Sequence, residues 1–297
     1  MVTTIIVEKP AMTCTERTIA VEGARIRLTE SAGTGLPILL LHGSGMSRAA
    51  FDGILAGPLA ERHRLVAMDL PGHGDSGDAE VPAITYTLTG LTSVVRETLT
   101  TIGVDRVVVF GWSLGGHIAI ELMHHHAGVA GLMLMGAPPV SRGPLGMLRA
   151  FHANWDMLLA SKERYAPRDI RRYAQLCFGD KVPPEMLAAI KRSHGSVRSV
   201  FSNSMMRGDG ADQRRTVVES IVPIAFVNGE HDPFIRLSYF EGLHMRSLWD
   251  GHAHVLAGAG HAAFLDAPQR FEALLMRFAS EVEMLQPAGS EVIARRA

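Results

Sequence analysis

Six short stretches of the chain are apolar without interruption, and each gives way to glycine and polar residues: PILLLHG, RLVAMDLPG, RVVVFGWS, GLMLMGAP, PIAFVNGEHD and HVLAGAGH. A strand that shows one face to water alternates apolar and polar residues, so continuous runs of this length predict strands buried on both faces, as in a parallel sheet covered by helices. Ahead of them, TIAVEGARIRLTE alternates in part and breaks at Gly23, which predicts a hairpin. Between the runs the spacing changes to helical, as in Leu88, Leu91, Val94, Val95 and Leu99, and again in Phe271, Leu274, Leu275 and Phe278. Strand and helix in alternation predict an α/β fold with a doubly wound, mostly parallel sheet.

The alternation stops at Val140 and resumes at Ile221, with helix-like pieces but no buried strand between. The expected organisation is therefore a core formed by 1–140 and 221–297, with an inserted helical cap over 141–220. The insert holds 14 Lys/Arg and 8 Asp/Glu, a balance of +6 against −7 for the rest of the chain, and solvated helix faces account for it. It is also rich in methionine (Met147, Met157, Met186, Met205 and Met206), which packs the cap onto the core and also suits an adaptable apolar pocket.

Composition narrows the functional classes. Over 297 residues, 29 basic and 30 acidic residues leave a net charge of −1, which gives no support for a nucleic-acid partner. The apolar runs fall far short of the roughly 20 residues that cross a bilayer, so no membrane association is expected. MVTTIIVEKP has neither the basic start nor the cleavage pattern of a signal peptide, which predicts a cytoplasmic location. Cys14 and Cys177 sit in no metal-binding or redox spacing and read as free thiols, and His124, His125 and His126 end a helix with no complementary ligands nearby in sequence. No pattern in the chain sets an oligomeric state.

The chemistry concentrates at the ends of the strands. Gly111-Trp112-Ser113-Leu114-Gly115 lies between a predicted strand and a predicted helix, the context in which a sharp turn projects a serine hydroxyl above a sheet. The helix that follows offers free N–H groups to a developing oxyanion. A serine needs a base, and His261 follows the last strand in a glycine-flanked loop, unlike its rivals His231, His252 and His254. The base needs an acid. Asp232, just past PIAFVNG, completes the chain order Ser, Asp, His that this arrangement uses, with Glu230 as the alternative, whereas Asp69 is expected to support its own loop. The backbone N–H groups of Ser44, in the loop His42-Gly43-Ser44-Gly45, and of Leu114 are the expected oxyanion donors, and Gly43 and Trp112 adjoin the expected substrate site.

Taken together, HGSG, DLPGHGDSG, GWSLGGHIAIE, VNGEHDPF and GAGHAAFLDAP resemble the α/β-hydrolase superfamily over about Thr18 to Ala279. Within it, VVFGWSLGGHIAIE, GLMLMGAPPV, RRYAQLCFG, PIAFVNGEHDPF and LWDGHAHVLAGAGHAAF are similar to the metal-free N-acyl homoserine lactonases, which open the lactone ring of bacterial quorum-sensing signals. The resemblance implies a small ester or lactone substrate, no cofactor, and a cap tyrosine at the active site, matched here by Tyr173. Where those lactonases have an asparagine after HG and a glutamate as triad acid, this chain has Ser44 and Asp232. Short-chain carboxylesterase, perhydrolase (haloperoxidase-like), carbon–carbon hydrolase and non-catalytic receptor are the alternatives. Epoxide hydrolase and dehalogenase chemistry would need an aspartate at position 113.

Overall fold

The structure is a computed structural model that describes residues 14–153 and 155–285. Eight strands form one sheet in the order β1-β2-β4-β3-β5-β6-β7-β8. They are β1 (Thr15–Val21), β2 (Ala24–Glu30), β3 (Gly35–Leu41), β4 (His63–Met68), β5 (Val107–Trp112), β6 (Val129–Met135), β7 (Ile224–Gly229) and β8 (His254–Leu256). β1 and β2 make the expected hairpin, turning at Gly23 with φ +72°. β2 runs antiparallel to β4, and every later pairing is parallel. The burial follows from position. β5 and β7 are buried at every residue, while β1, at the edge, is mostly exposed.

Helices α1 (Leu88–Thr101) and α2 (Leu114–His125) pack on one another, and α2 also lies on β5 and β6. The Thr87 hydroxyl caps α1 by accepting from Gly90 N–H at 3.0 Å, satisfying a donor that the first turn leaves free. The last helix among the described residues (Pro268–Met284) packs on β3 and β6 and buries Phe271, Leu275, Phe278 and Val282. Phe110 of β5 meets Phe271 (ring centroids 4.7 Å), Phe51 and Phe264 (both 5.9 Å), an aromatic knot under the strand that leads to Ser113.

Between β6 and β7 the regular elements among the described residues are helical: α3 (Pro144–Ala150), α4 (Pro167–Phe178), α5 (Pro184–Arg192), α6 (Gly195–Arg207) and α7 (Gln213–Glu219). The first four lie together. Buried Arg198 of α6 ties its helix to the segment ahead of α4 and to the end of α5 by donating to the carbonyls of Lys162 and Glu163 and to Ser193 Oγ while stacking over Tyr165 at 3.9 Å. The last helix behaves differently: α7 packs on α2, and Ala211 N–H, just ahead of it, donates to Glu121 at 2.9 Å. No helix among the described residues is long and apolar enough to cross a membrane. The expectation for MVTTIIVEKP concerns positions outside the described residues.

Candidate active site

Ser113 sits where β5 becomes α2, with φ +54° and ψ −116°, a backbone conformation that costs a non-glycine residue about 1–3 kcal/mol. Its own N–H is anchored to Met135 O at 2.8 Å. The turn closes only because its neighbours lack side chains. A Cβ at Gly111 would lie 2.6 Å from Gly115 O, and one at Gly115 would lie 2.3 Å from Leu41 O.

From the opposite side of the same opening, the loops after β7 and β8 bring Asp232 and His261 together. His261 Nδ1–H donates to Asp232 Oδ2 at 2.7 Å, while Asp232 Oδ1 accepts from the N–H groups of Phe234 (2.9 Å) and Ile235 (3.4 Å), so the carboxylate is held at both ends. Both side chains are buried. Glu230, the alternative acid, turns away and accepts from Gly258 N–H at 2.9 Å. His231 is exposed, and His252 and His254 stack on each other beside Asp250. Gly136, with φ +63°, packs beneath the pair. A Cβ there would lie 2.5 Å from His261 Cε1.

The loop 42–45 is braced by two buried histidines. His42 Nδ1–H donates to Gly43 O (2.8 Å) and its Nε2 accepts from Leu70 N–H (3.0 Å). His73 Nδ1–H donates to Pro71 O (3.1 Å) and its Nε2 accepts from Gly45 N–H (3.1 Å). Each ring therefore uses one nitrogen as donor and one as acceptor, which requires the neutral form. Asp69 supports the same region through Arg48 and the Asp75 N–H. The backbone N–H groups of Ser44 and Leu114 donate to no group among the described residues, and the Ser44 hydroxyl is buried without a partner. Tyr173, buried in α4, reaches down to donate its hydroxyl to Ser44 O at 3.0 Å. Burial pushes the Tyr173 phenol well up, so it remains a donor, and burial likewise keeps the Cys177 thiol protonated.

Ser44, Ser113, Leu114, Tyr173 and His261 line one cavity of about 100 Å³, whose remaining wall is largely apolar, with Met147, Phe151, Met157, Phe201, Met205 and Phe234. Gly43 and Trp112 are not part of that wall. Trp112 is fully buried and donates its indole N–H to His261 O at 3.0 Å, while Gly43 packs against the Trp112 ring. The sequence reading missed the parts played by His42, His73 and Gly136. The HG and PGHG motifs carried a signal for the first two, whereas nothing in GLMLMGAP distinguishes Gly136.

A pH dependence of stability follows from three buried imidazoles. Burial holds His42 below its ordinary value of 6.5, His73 well below it, and His117 down at about 4. As pH falls through about 6.5 the unfolded chain takes up these protons and the folded chain does not, so folding stability drops until the folded-state values are reached and is indifferent to these groups above about 6.5. His117 alone contributes a loss of about 2 kcal/mol by pH ~5. Urea midpoints measured from about pH 7.5 to 5.5, where exposed carboxylates stay ionised, are expected to fall with pH, and a flat profile contradicts the buried neutral assignment.

The model of the alpha/beta hydrolase family matches residues 38–274. The structure superimposes on that of the N-acyl homoserine lactonase AidH in complex with N-butanoyl homoserine, with a TM-score of 0.88 and 37% identity over 92% of this chain and 98% of that one. An esterase from Rhodococcus sp. ECU1013 shares the fold at a TM-score of 0.71 and 23% identity, covering 91% of this chain and all of that one. Among curated sequences, the pimeloyl-[acyl-carrier protein] methyl ester esterase of Xanthomonas axonopodis pv. citri is 26% identical over 279 residues, 84% of this chain and 97% of that protein. With a family match that spans most of the chain and a strained serine turn at the head of α2, the protein belongs to the α/β-hydrolase family.

Proposed function

We propose that the protein is a serine hydrolase of carboxylic esters whose substrate is an N-acyl homoserine lactone, with 141–220 acting as a cap over the site. The observation that carries the reading is the convergence of Ser113, the Asp232–His261 pair and two unengaged backbone donors on one apolar cavity. In this mechanism His261 Nε2 takes the Ser113 proton as the hydroxyl oxygen attacks the lactone carbonyl carbon. The N–H groups of Ser44 and Leu114 hold the resulting oxyanion, each donor supplying about 3 kcal/mol of transition-state stabilisation. The carbon–oxygen bond of the ring then breaks, and the departing alkoxide leaves as an alcohol with the proton from His261. Because that alcohol remains tethered to the acyl group, it must swing aside before water, deprotonated by His261, attacks the acyl-enzyme and releases the ring-opened acid and Ser113.

The apolar wall offers room for an acyl chain, and the similarity to AidH supports the lactone head group. The Ser44 hydroxyl, buried and unpartnered, stands ready for a polar group of the substrate at the position where the similar lactonases carry asparagine. The test is mass spectrometry of N-acyl homoserine lactones after incubation with the protein, with and without chelator. Gain of one water with the acyl chain retained is expected, indifferent to chelator. Release of free homoserine lactone would mean an acylase. No turnover of any lactone beside hydrolysis of simple aryl esters would leave a general carboxylesterase, a reading favoured by the esterases among the similar proteins.

One residue outside the reacting groups is expected to matter through position alone. In Gly136→Ala the new methyl group would overlap the His261 ring, and the backbone at φ +63° disfavours alanine as well. A displacement of about 1 Å at the base corresponds to a fall of roughly 100-fold in kcat with KM little changed. Steady-state kinetics indistinguishable from wild type would show that the ring is free to move aside.

A further inference from the structure

The cavity is lined by a buried imidazole that the mechanism above leaves idle. His117 lies one helical turn beyond Ser113 on α2, is 5% exposed, and lines the cavity between the rings of Phe151 and Phe201, 6.0 and 6.4 Å away. Its tautomer can be read from its partner. Gln213 Nε2 donates to the His117 backbone carbonyl at 3.1 Å, and a carbonyl oxygen only accepts, so the amide nitrogen of Gln213 must face it. The amide oxygen Oε1 then faces His117 Nδ1 at 2.8 Å, which requires Nδ1 to carry the ring proton. Nε2 is consequently a bare acceptor on a residue that lines the cavity, and the hydrogen bond of the ring to Gln213 uses Nδ1 alone. The side chains in hydrogen-bond or ring contact with the imidazole, Gln213 from α7, Phe151 at the end of α3 and Phe201 from α6, carry no charge.

We propose that His117 is a specificity residue whose Nε2 accepts a hydrogen bond from the acylamino side of the substrate, either the amide N–H or a 3-hydroxyl on the acyl chain. The inference rests on the lactone reading above. An acceptor held in an apolar wall selects strongly, because a substrate that supplies no donor leaves a buried lone pair unsatisfied, whereas one that supplies a donor completes the Gln213–His117 chain. With burial holding the ring down at about 4, Nε2 remains unprotonated at neutral pH.

The experiment compares kcat/KM of the wild type and His117→Leu on four substrates of matched chain length: an unsubstituted, a 3-hydroxy and a 3-oxo N-acyl homoserine lactone, and an aryl ester with neither donor. Loss of about tenfold on the 3-hydroxy lactone alone identifies the hydroxyl as donor, and the same loss on all three lactones with the aryl ester unchanged identifies the amide. Equal loss on all four substrates, or no loss on any, overturns the proposal, the first outcome being that of a purely structural histidine. Should the leucine variant fail to fold, Gln213→Glu preserves the Nδ1–H donation while the carboxylate raises the imidazole, so that Nε2 gains a proton at mildly acidic pH. Where the amide N–H is the donor, turnover of the lactones relative to the aryl ester is then expected to fall as pH falls in that variant and to stay level in the wild type; a 3-hydroxyl, which can also accept from Nε2–H, would instead hold the 3-hydroxy lactone above the other two, and identical profiles for all four substrates overturn the proposal. If the wild type opens no lactone, the substrate reading fails separately, and aryl esters of N-acylglycine, which retain the amide donor, carry the test of His117.

Discussion

Replacing Ser113 by alanine is expected to lower kcat for ester or lactone hydrolysis by roughly 10⁵-fold, and replacing it by glycine to do the same while raising the melting temperature. The first effect follows from the proposed role of Ser113 as nucleophile, since alanine has no hydroxyl for His261 to activate, and the Tyr173 phenol that shares the cavity is committed to Ser44 O. The second comes from backbone geometry. A serine at φ +54° carries strain of about 1–3 kcal/mol that glycine does not, so Ser113→Gly releases it, less whatever packing the hydroxymethyl group supplied. Differential scanning calorimetry beside steady-state kinetics reads both. An inactive variant that is also less stable would show that the turn is relaxed, and residual activity above about 1% would place the nucleophile elsewhere.

The second large effect separates two carboxylates that stand two residues apart. Asp232→Asn is expected to reduce kcat by about 10⁴-fold, because an amide can present its NH₂ to Nδ1 and so stabilise the tautomer with its proton on Nε2, leaving no base toward Ser113. Glu230→Gln should stay within a few-fold of wild type, since Glu230 serves the Gly258 N–H on the outside of the same loop. Kinetics of the two variants side by side test the assignment. If the losses were reversed, Glu230 would be the orienting acid, and the loop would have to rearrange when substrate binds.

Much of this architecture was legible in the chain because its physics is local. β3 to β7 declare themselves by continuous apolar runs, which water would not tolerate on a half-exposed sheet, and Gly111 and Gly115 mark the turn because backbone must pass within the space of a methyl group. The order of Ser113, Asp232 and His261 is likewise a property of the sequence. What escaped are features that exist only after distant loops converge. The link from His73 to Gly45 spans 28 positions and forms because two loops meet at the same sheet edge. Gly136 matters because β8 delivers His261 above it, and Trp112, adjacent to Ser113 in sequence, is turned by strand alternation into the core, where it holds the His261 loop instead of meeting substrate. The allegiance of α7 to α2, and with it the pairing of Gln213 with His117, is equally invisible to composition or periodicity, since both partners are simply polar residues on helices.

The single hydrogen bond from Tyr173 to Ser44 O bears on how such proteins can be re-engineered. It joins the roof to the floor: α4 steadies the very peptide whose neighbouring N–H is proposed to stabilise the oxyanion. If 141–220 caps the site as proposed, it is tied to the loop beneath it by this bond and is not an interchangeable hood. A chimera that receives 141–220 from a family member without a tyrosine at this point inherits a loop less well held, and is expected to lose turnover on lactones and aryl esters alike in steady-state kinetics. Transfer of the tyrosine and the serine loop as one part is expected to keep that loop held.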